Sequence, residues 1–400
     1  MPALSDRHHG VTSIESTEGV RAIDDIASNI IGVIVTGEDS DDKTFPMDTP
    51  IFSTSARALA SKAGDKGTIG SVLDGITDQA DSPIIVVRVP ASDTEAEQTA
   101  SVIGTNTNGR LTGLKALAAA SQFVGFDPKI IGAPALDSQG VAAELATVAD
   151  LTMGFAYAKA HGESLTELAA YRDNFGQREL MLIDNEFTRI SEITGTAEAA
   201  KTIAIALGLR SKIDQQIGWH KTLSNVVVNG VTGIQTPRTF SLTNKNTDAN
   251  FLNNNEITTL IRQEGFRFWG NRTCASDPMF AFESSVRTAQ IIRQTIAEAQ
   301  LCAIDRPMLP ALIADVLLSI NNKLAKYVRQ GRLLGARVFI QSEDNLPSDI
   351  MNGQVQIGYE FTAVPPLENL VIEQRVTSTF AVNLVNRMVE FASQIRPVTV

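Results

Sequence analysis

Four histidines, two cysteines and a scatter of carboxylates are the side chains here that could do chemistry. His8 and His9 are adjacent near the start of the chain and could give two nitrogens to a metal, but that segment supplies no further ligands to complete a site. His161 precedes Gly162 and Glu163 at an expected strand-to-helix junction, where a base would stand beside a carboxylate. Asp184 and Glu186 lie just past an expected strand, the place where α/β enzymes put acids. Together these residues define one functional reading, a small-molecule α/β enzyme with its site near Asp184 and His161. The neighbours of Asp184 offer neither metal-ligand spacing nor a second partner, so solvated loop acids are the simpler account.

The remaining motifs do not add to that reading. Gly64, Gly67 and Gly70 stand at three-residue spacing around Lys66-Gly-Thr, which is neither G-x-G-x-x-G nor a phosphate loop with the right upstream glycine. No G-x-S-x-G elbow occurs. His220, between Trp219 and Lys221, reads as part of a packed aromatic cluster at a helix end. Asn271-Arg-Thr matches a glycosylation pattern without a secretory context. Cys274 and Cys302 are too few for a disulfide framework or a four-ligand zinc site and are expected to be reduced, small and buried, with pairing across subunits left open. No catalytic, cofactor-binding or metal-ligating residue is therefore expected, and no cofactor.

At 400 residues the chain exceeds one ordinary core, so two or three domains are expected. Its net charge of −11 is concentrated at the front, where residues 1–100 carry 7 Lys+Arg against 17 Asp+Glu. A nucleic-acid binder would need a clustered basic surface instead. No run of eighteen apolar residues occurs, so no membrane span is expected, and the opening MPALSDRHHGV lacks the apolar core of a signal peptide.

The elements that would position these residues alternate. Strands are expected at Ile30-IGVIVTG, Pro83-IIVVRV, Lys129-IIGAP, Met153–Ala158 and Glu179-LMLID. Helices are expected over 54–63, 69–80, 111–121, 139–148, 161–171 (capped by Ser164 ahead of Glu167) and 195–216. This alternation predicts an α/β domain with a largely parallel sheet. Beyond Gly218 the pattern loosens. A short helix is expected at 256–263, an aromatic strand from Phe266, helices over 280–301 and 309–330, and a strand at Gly335-ARVFI. Two strands follow, separated by Pro365 and Pro366, the first with Val355, Ile357, Tyr359 and Phe361 on one face. A helix over 380–395 carries Leu384, Met388 and Phe391. Residues 10–16 read as a strand with no local partner, and so do residues 368–376.

Several strings are specific. HHGV near the start, YRDNFGQRELMLI, ALGLRSKIDQQIGWHKTLSNVVVNGVTG, GFRFWGNRTC and FTAVPPLENLVIEQRV resemble the contractile tail sheath proteins of P2-like phages, and the related sheaths of R-type bacteriocins look similar. The resemblance runs from about His8 to about Val385. It implies a structural subunit, not an enzyme, arranged in hexameric rings stacked helically around an inner tube and contracting to drive that tube through the bacterial envelope. It implies partners as well: further copies of the chain, the tail tube protein, and baseplate and tail terminator proteins, with no nucleic acid and no direct membrane insertion. The location implied is the virion tail, assembled in the host bacterial cytoplasm.

The fold class implied is α/β multidomain, with an inner core domain built from N- and C-terminal portions, an outer α/β domain inserted between them and extended terminal arms. Placed on this sequence, the segments are an N-terminal arm with an intersubunit strand (1–25), the first part of the inner core (26–90), the outer domain (91–200), the remainder of the inner core (201–366), and a C-terminal strand with a tube-facing helix (367–400). Strand addition between subunits then falls on Val11, Ile14, Leu370 and Ile372. Contact with the inner tube falls on Asn383, Asn386, Arg387, Glu390 and Arg396, a polar set suited to a surface that must let go.

Overall fold

A computed structural model describes residues 23–190 and 195–394. Its largest feature is an eight-stranded sheet. The strands, in chain order, are β1 (Ile31–Thr36), β2 (Ile51–Ser53), β3 (Ile84–Val89), β4 (Ile130–Gly132), β5 (Phe155–Lys159), β6 (Leu180–Ile183), β7 (Ile257–Arg262) and β8 (Phe266–Trp269), and their spatial order is β8-β7-β6-β5-β4-β1-β3-β2. The six inner strands run parallel, with β2 and β8 antiparallel at the two edges.

β1 and β3 are buried at every position, as continuous β-branched runs require when helices cover both faces of a sheet. Alternate residues divide between two cores. Val33, Val35, Ile84, Val86, Met181 and Ile183 meet helices α1 (Ile69–Thr77) and α5 (Thr202–Gln216) on one face. Ile34, Ile85, Val87, Ile131, Leu180 and Leu182 meet α2 (Gly113–Ala118) and α3 (Gln139–Leu151) on the other. The Ser164–Glu167 capping box forms as expected, at the start of α4 (Leu165–Arg172).

Strands of this sheet come from residues 26–90, 91–200 and 201–366 alike. The chain divides into two compact units between Pro366 and Leu367.

A third core lies in the first of these two units. Helices α6 (Glu283–Ala299) and α7 (Pro310–Arg329) pack with a two-stranded antiparallel sheet, β9 (Leu333–Phe339) and β10 (Gly358–Ala363). Ile291, Ile292, Ile320, Leu324, Tyr327 and Trp219 are its centre, and Ile26, Val338, Tyr359 and Phe361 pack against it.

Several element expectations are corrected. Residues 256–263 are strand β7, not a helix: Ile257, Thr258, Thr259 and Ile261 are β-branched, and β6 and β8 offer them two ladders. The helix expected from Gly195 begins at Thr202, because Lys201 turns left-handed (φ 47°) and Ala197–Ala199 pair with Thr188–Ile190. The helix expected over 54–63 shrinks to Arg57–Ala60, and that over 111–121 breaks at Ala119. The strand expected from Gly353 starts only at Gly358, and residues 368–376 form no strand in the isolated chain.

One charged network joins the sheet to the third core. Arg210 of α5 pairs with Asp214 at 2.7 Å and with Glu283 of α6 at 3.0 Å; Arg287 pairs with Asp214, and the Tyr157 hydroxyl of β5 donates to Glu283. The side chains of Arg210, Asp214 and Glu283 have no exposed surface. Two cations thus face two anions, and Glu283 also accepts the Leu223 N–H at 3.1 Å. Burial pushes the Glu283 carboxyl up, but Arg210 and Arg287 outweigh it and hold the group below the ordinary carboxylate range. Removing one member leaves an uncompensated buried charge. Glu283→Ala is therefore expected to lower the unfolding free energy by about 3–5 kcal/mol, measured by chemical denaturation. Arg337→Ala, which breaks the exposed Arg337–Glu360 pair, should cost less than about 1 kcal/mol. Equal costs for the two would contradict the role given to the network.

Candidate assembly surfaces

The residues that could do chemistry are occupied with one another. Asp184 receives two bonds from Arg238, at 2.9 and 3.1 Å. Glu186 accepts the Thr202 N–H at 2.7 Å, as a cap for α5, and pairs with Lys159 at 3.2 Å. His161 Nε2 lies 2.8 Å from the Asp137 carbonyl oxygen, and the Asp137 carboxylate accepts the Lys159 N–H at 2.6 Å. Asp39 fills the loop around Gly64 and Gly67, accepting the Asp65 and Lys66 N–H groups at 3.1 and 2.9 Å, the donors a phosphate would need. Trp219 packs edge-on against Tyr327; at His220, burial, then Arg332 and Arg210, hold the pKa below the ordinary value. Cys274 is buried, and burial pushes its thiol up to about 12; Cys302 is exposed, contrary to expectation, on the short turn after α6. Among the described residues no group of three or more His, Cys, Asp and Glu could hold a metal. His8 and His9 lie outside them.

What the fold leaves open is backbone and apolar surface. Among the described residues β9 and β10 pair only with each other, so each keeps one edge without a ladder partner. Ala336, Val338, Tyr359 and Phe361 face the third core, while Leu334 is 63% exposed. An unpaired edge of this kind is a template for another strand.

The N-terminal approach to β1 is a strap, residues 23–30, without helix or strand. Lys323 Nζ of α7 donates to the Ile23 carbonyl at 2.7 Å and pairs with Asp25 at 2.5 Å. The Tyr327 hydroxyl donates to Asp25 at 2.7 Å, and Arg332 lies 3.4 Å away while stacking on Trp219. Further along, Arg287 holds the Ser28 carbonyl and Ser211 the Asn29 carbonyl. Sequence reasoning missed this clamp, whose partners lie some 300 residues apart. It also missed the charged network, although Arg210/Asp214 and Glu283/Arg287 stand at the i,i+4 spacing that signals a pair on one helix face.

The second unit is described through residue 394. Residues 367–377 form neither helix nor strand, and Leu370 and Ile372 are 66% and 79% exposed. Helix α8 (Ala381–Ser393) follows, exposed along its whole length. At roughly 100° per residue, Asn383, Asn386, Arg387 and Glu390 share one polar arc. Val382, Leu384, Val385, Met388, Val389 and Phe391 lie on the arc opposite. The structure thus gathers four of the five residues expected to touch the tube. Arg396, Val11 and Ile14 lie outside the described residues.

Comparison with known proteins gives one answer throughout. The family model for the phage tail sheath protein central domain matches residues 109–274, and that for the phage tail sheath C-terminal domain matches residues 275–377. The tail sheath protein of Escherichia phage P2 is 44% identical over 390 residues, covering 96% of this chain and 98% of that protein. The major tail sheath protein of Serratia phage KSP20 is 42% identical over 377 residues, covering 93% and 96%. Among solved structures, the helical sheath of the anti-feeding prophage in its contracted state superposes with a TM-score of 0.69 at 17% identity, covering 92% of this chain and 98% of that one. That likeness shows a shared α/β sheath fold.

The Asp25 clamp carries a pH signature. Burial raises the carboxyl, but hydrogen bonds from Lys323 and Tyr327 and the charges of Lys323 and Arg332 more than reverse this, leaving it below its ordinary 3.8. Asp24, Glu298, Asp315 and Arg306 line the same cleft. A carboxylate held low in the folded chain stabilises it above the unfolded pKa, and that contribution disappears as pH falls through the folded one. Asp25→Asn should therefore be less stable than the wild type above about pH 5, and the two should converge below 3.8. Denaturation midpoints across that range test this, and a gap that stays constant into acid would contradict it.

Proposed function

The chain belongs to the phage tail sheath protein family, as a structural subunit of a contractile tail sheath around an inner tube, and from that premise we propose that its copies join by strand addition into stacked hexameric rings. The family is structural, not catalytic. Contraction of the stack drives the tube through the bacterial envelope. The subunit works in the virion tail, assembled in the host bacterial cytoplasm, against further copies of itself, the tail tube protein, and baseplate and terminator proteins.

The observation that carries the reading is the two-stranded sheet β9–β10, half-buried on one face and, among the described residues, without a ladder partner at either outer edge. A lone two-stranded sheet is marginal, and added strands complete it. Two segments of this chain have the composition to supply them. One is residues 10–16, with Val11 and Ile14. The other is residues 367–377, where Leu370, Val371 and Ile372 stand in water. Main-chain hydrogen bonds then tie neighbours while alternate side chains select the register.

The inner layer is assigned to the third core, which joins the strap 23–30 to residues 283–363. The outer layer is assigned to the eight-stranded body. The sheet supports limits near residues 31 and 269 for that outer layer, in place of 91 and 200. The polar arc of α8, with Asn383, Asn386, Arg387 and Glu390, is the side suited to a tube contact that must release, since apolar burial would resist separation.

Leu370→Asp with Ile372→Asp tests the strand. Both side chains are exposed in the isolated chain, so monomer stability should move by no more than about 0.5 kcal/mol. Negative-stain microscopy should show cog-like cylinders for the wild type and none for the variant. Normal cylinders from the variant would remove residues 367–377 from the assembly mechanism.

A further inference from the structure

The strap 23–30 has no ladder of its own, yet three different helices hold its carbonyl oxygens. Lys323 of α7 takes Ile23, Arg287 of α6 takes Ser28, and Ser211 of α5 takes Asn29. Two of the three donors are buried cations, and charge-assisted bonds of this kind are the stronger ones. The outermost grip is doubled, because Lys323 also pairs with Asp25, which Tyr327 and Arg332 bond as well.

The helix that makes this outermost grip also backs the open sheet. α7 packs on β9, and Leu324 and Tyr327 share the third core with Leu333, Val338 and Tyr359. The start of the held strap and the sheet with an unladdered edge thus both rest on α7. We propose that α7 is a tension link between subunits, with the Asp25–Lys323 clamp as its coupling. Pull arriving at the β9–β10 edge from one neighbour passes through α7 and the clamp into the N-terminal segment that reaches the next. This rests on the strand-addition reading and deepens it, by naming the residues that keep rings connected while they widen. Tension on a strap without a ladder peels it from its free end, so the grip at Ile23 and Asp25 is met first and sets the resistance of the whole strap.

The test compares tubes assembled from the full wild-type chain with tubes from Asp25→Asn, which keeps the side-chain shape and removes the charge. Backbone hydrogen exchange is followed on monomers and tubes, and tube length is followed by electron microscopy under shear. The expected result has three parts. β9 and β10 become protected on assembly in both proteins. Residues 23–30 exchange faster in the variant tubes. Those tubes break about tenfold faster than wild type, the factor that corresponds to about 1.4 kcal/mol. If β9 and β10 gain no protection in wild-type tubes, strand addition itself fails and the tension link falls with it. If they are protected and the variant tubes are as strong as wild type, the link alone is overturned. Should Asp25→Asn not yield folded monomer, Tyr327→Phe and Arg332→Gln each remove one bond to the same carboxylate. They must then show the same weakening in smaller degree, and unweakened tubes from both overturn the proposal.

Discussion

The buried network of Arg210, Asp214, Glu283 and Arg287 is the constraint from which the rest of the body follows. Four charges taken out of water are tolerated only in an arrangement that satisfies all of them at once. Here that arrangement spans a helix on one face of the large sheet, the first turns of α6, and the Tyr157 hydroxyl on β5. Arg287 extends it to the Ser28 and Lys129 carbonyls, at the entries to β1 and β4. Sliding α6 along the sheet would unpair several of these groups together. The eight-stranded sheet and the third core are therefore held as parts of one unit, although their apolar clusters are distinct.

Within that unit the large sheet and the β9–β10 sheet treat their edges differently. The large sheet ends in antiparallel strands, β2 with three residues and β8 with four, and short edge strands are poor templates for a stranger. β9 and β10 run to seven and six residues and leave their outer edges bare. A monomeric protein would treat such an edge as a liability; a subunit that exists to be joined to its copies keeps it. The contrast favours the third core over the larger sheet as the place for the proposed strand addition.

How much of this could be read from the sequence depended on whether the deciding partner was local. The parallel strands were legible because a strand buried on both faces is apolar at consecutive positions, as Ile31–Val35 and Ile84–Val87 are. The Ser164–Glu167 cap was legible because both partners lie within one turn. Ile257–Arg262 was misread because its choice between helix and strand is made by β6 and β8, far away in sequence. The Asp25 clamp was illegible for the same reason, its partners sitting beyond residue 320. The helix carrying Leu384, Met388 and Phe391 was open to reading because helical spacing is itself local, whereas the tube-facing set Asn383, Asn386, Arg387, Glu390 and Arg396 came from the family resemblance. The family strings said what the protein is for, and no spacing of reactive groups could have done so.

That last difference has a physical cause. At the carboxyl ends of the parallel strands, where an enzyme of this fold would keep free acids and bases, Asp184 is spent on Arg238 and Glu186 on Lys159 and the cap of α5. Asp42 is likewise spent on the buried Arg88. Each pair quenches reactivity and fixes a loop. Among the described residues, the groups left without an internal partner include the outer-edge backbone of β9 and β10 and the exposed apolar side chains from Leu367 to Phe391, which have no acid–base or nucleophilic chemistry. Under the proposed strand addition the working groups are N–H, C=O and hydrocarbon, present in every chain, so no reactive constellation marks them. They are distinguished here only by being left uncovered.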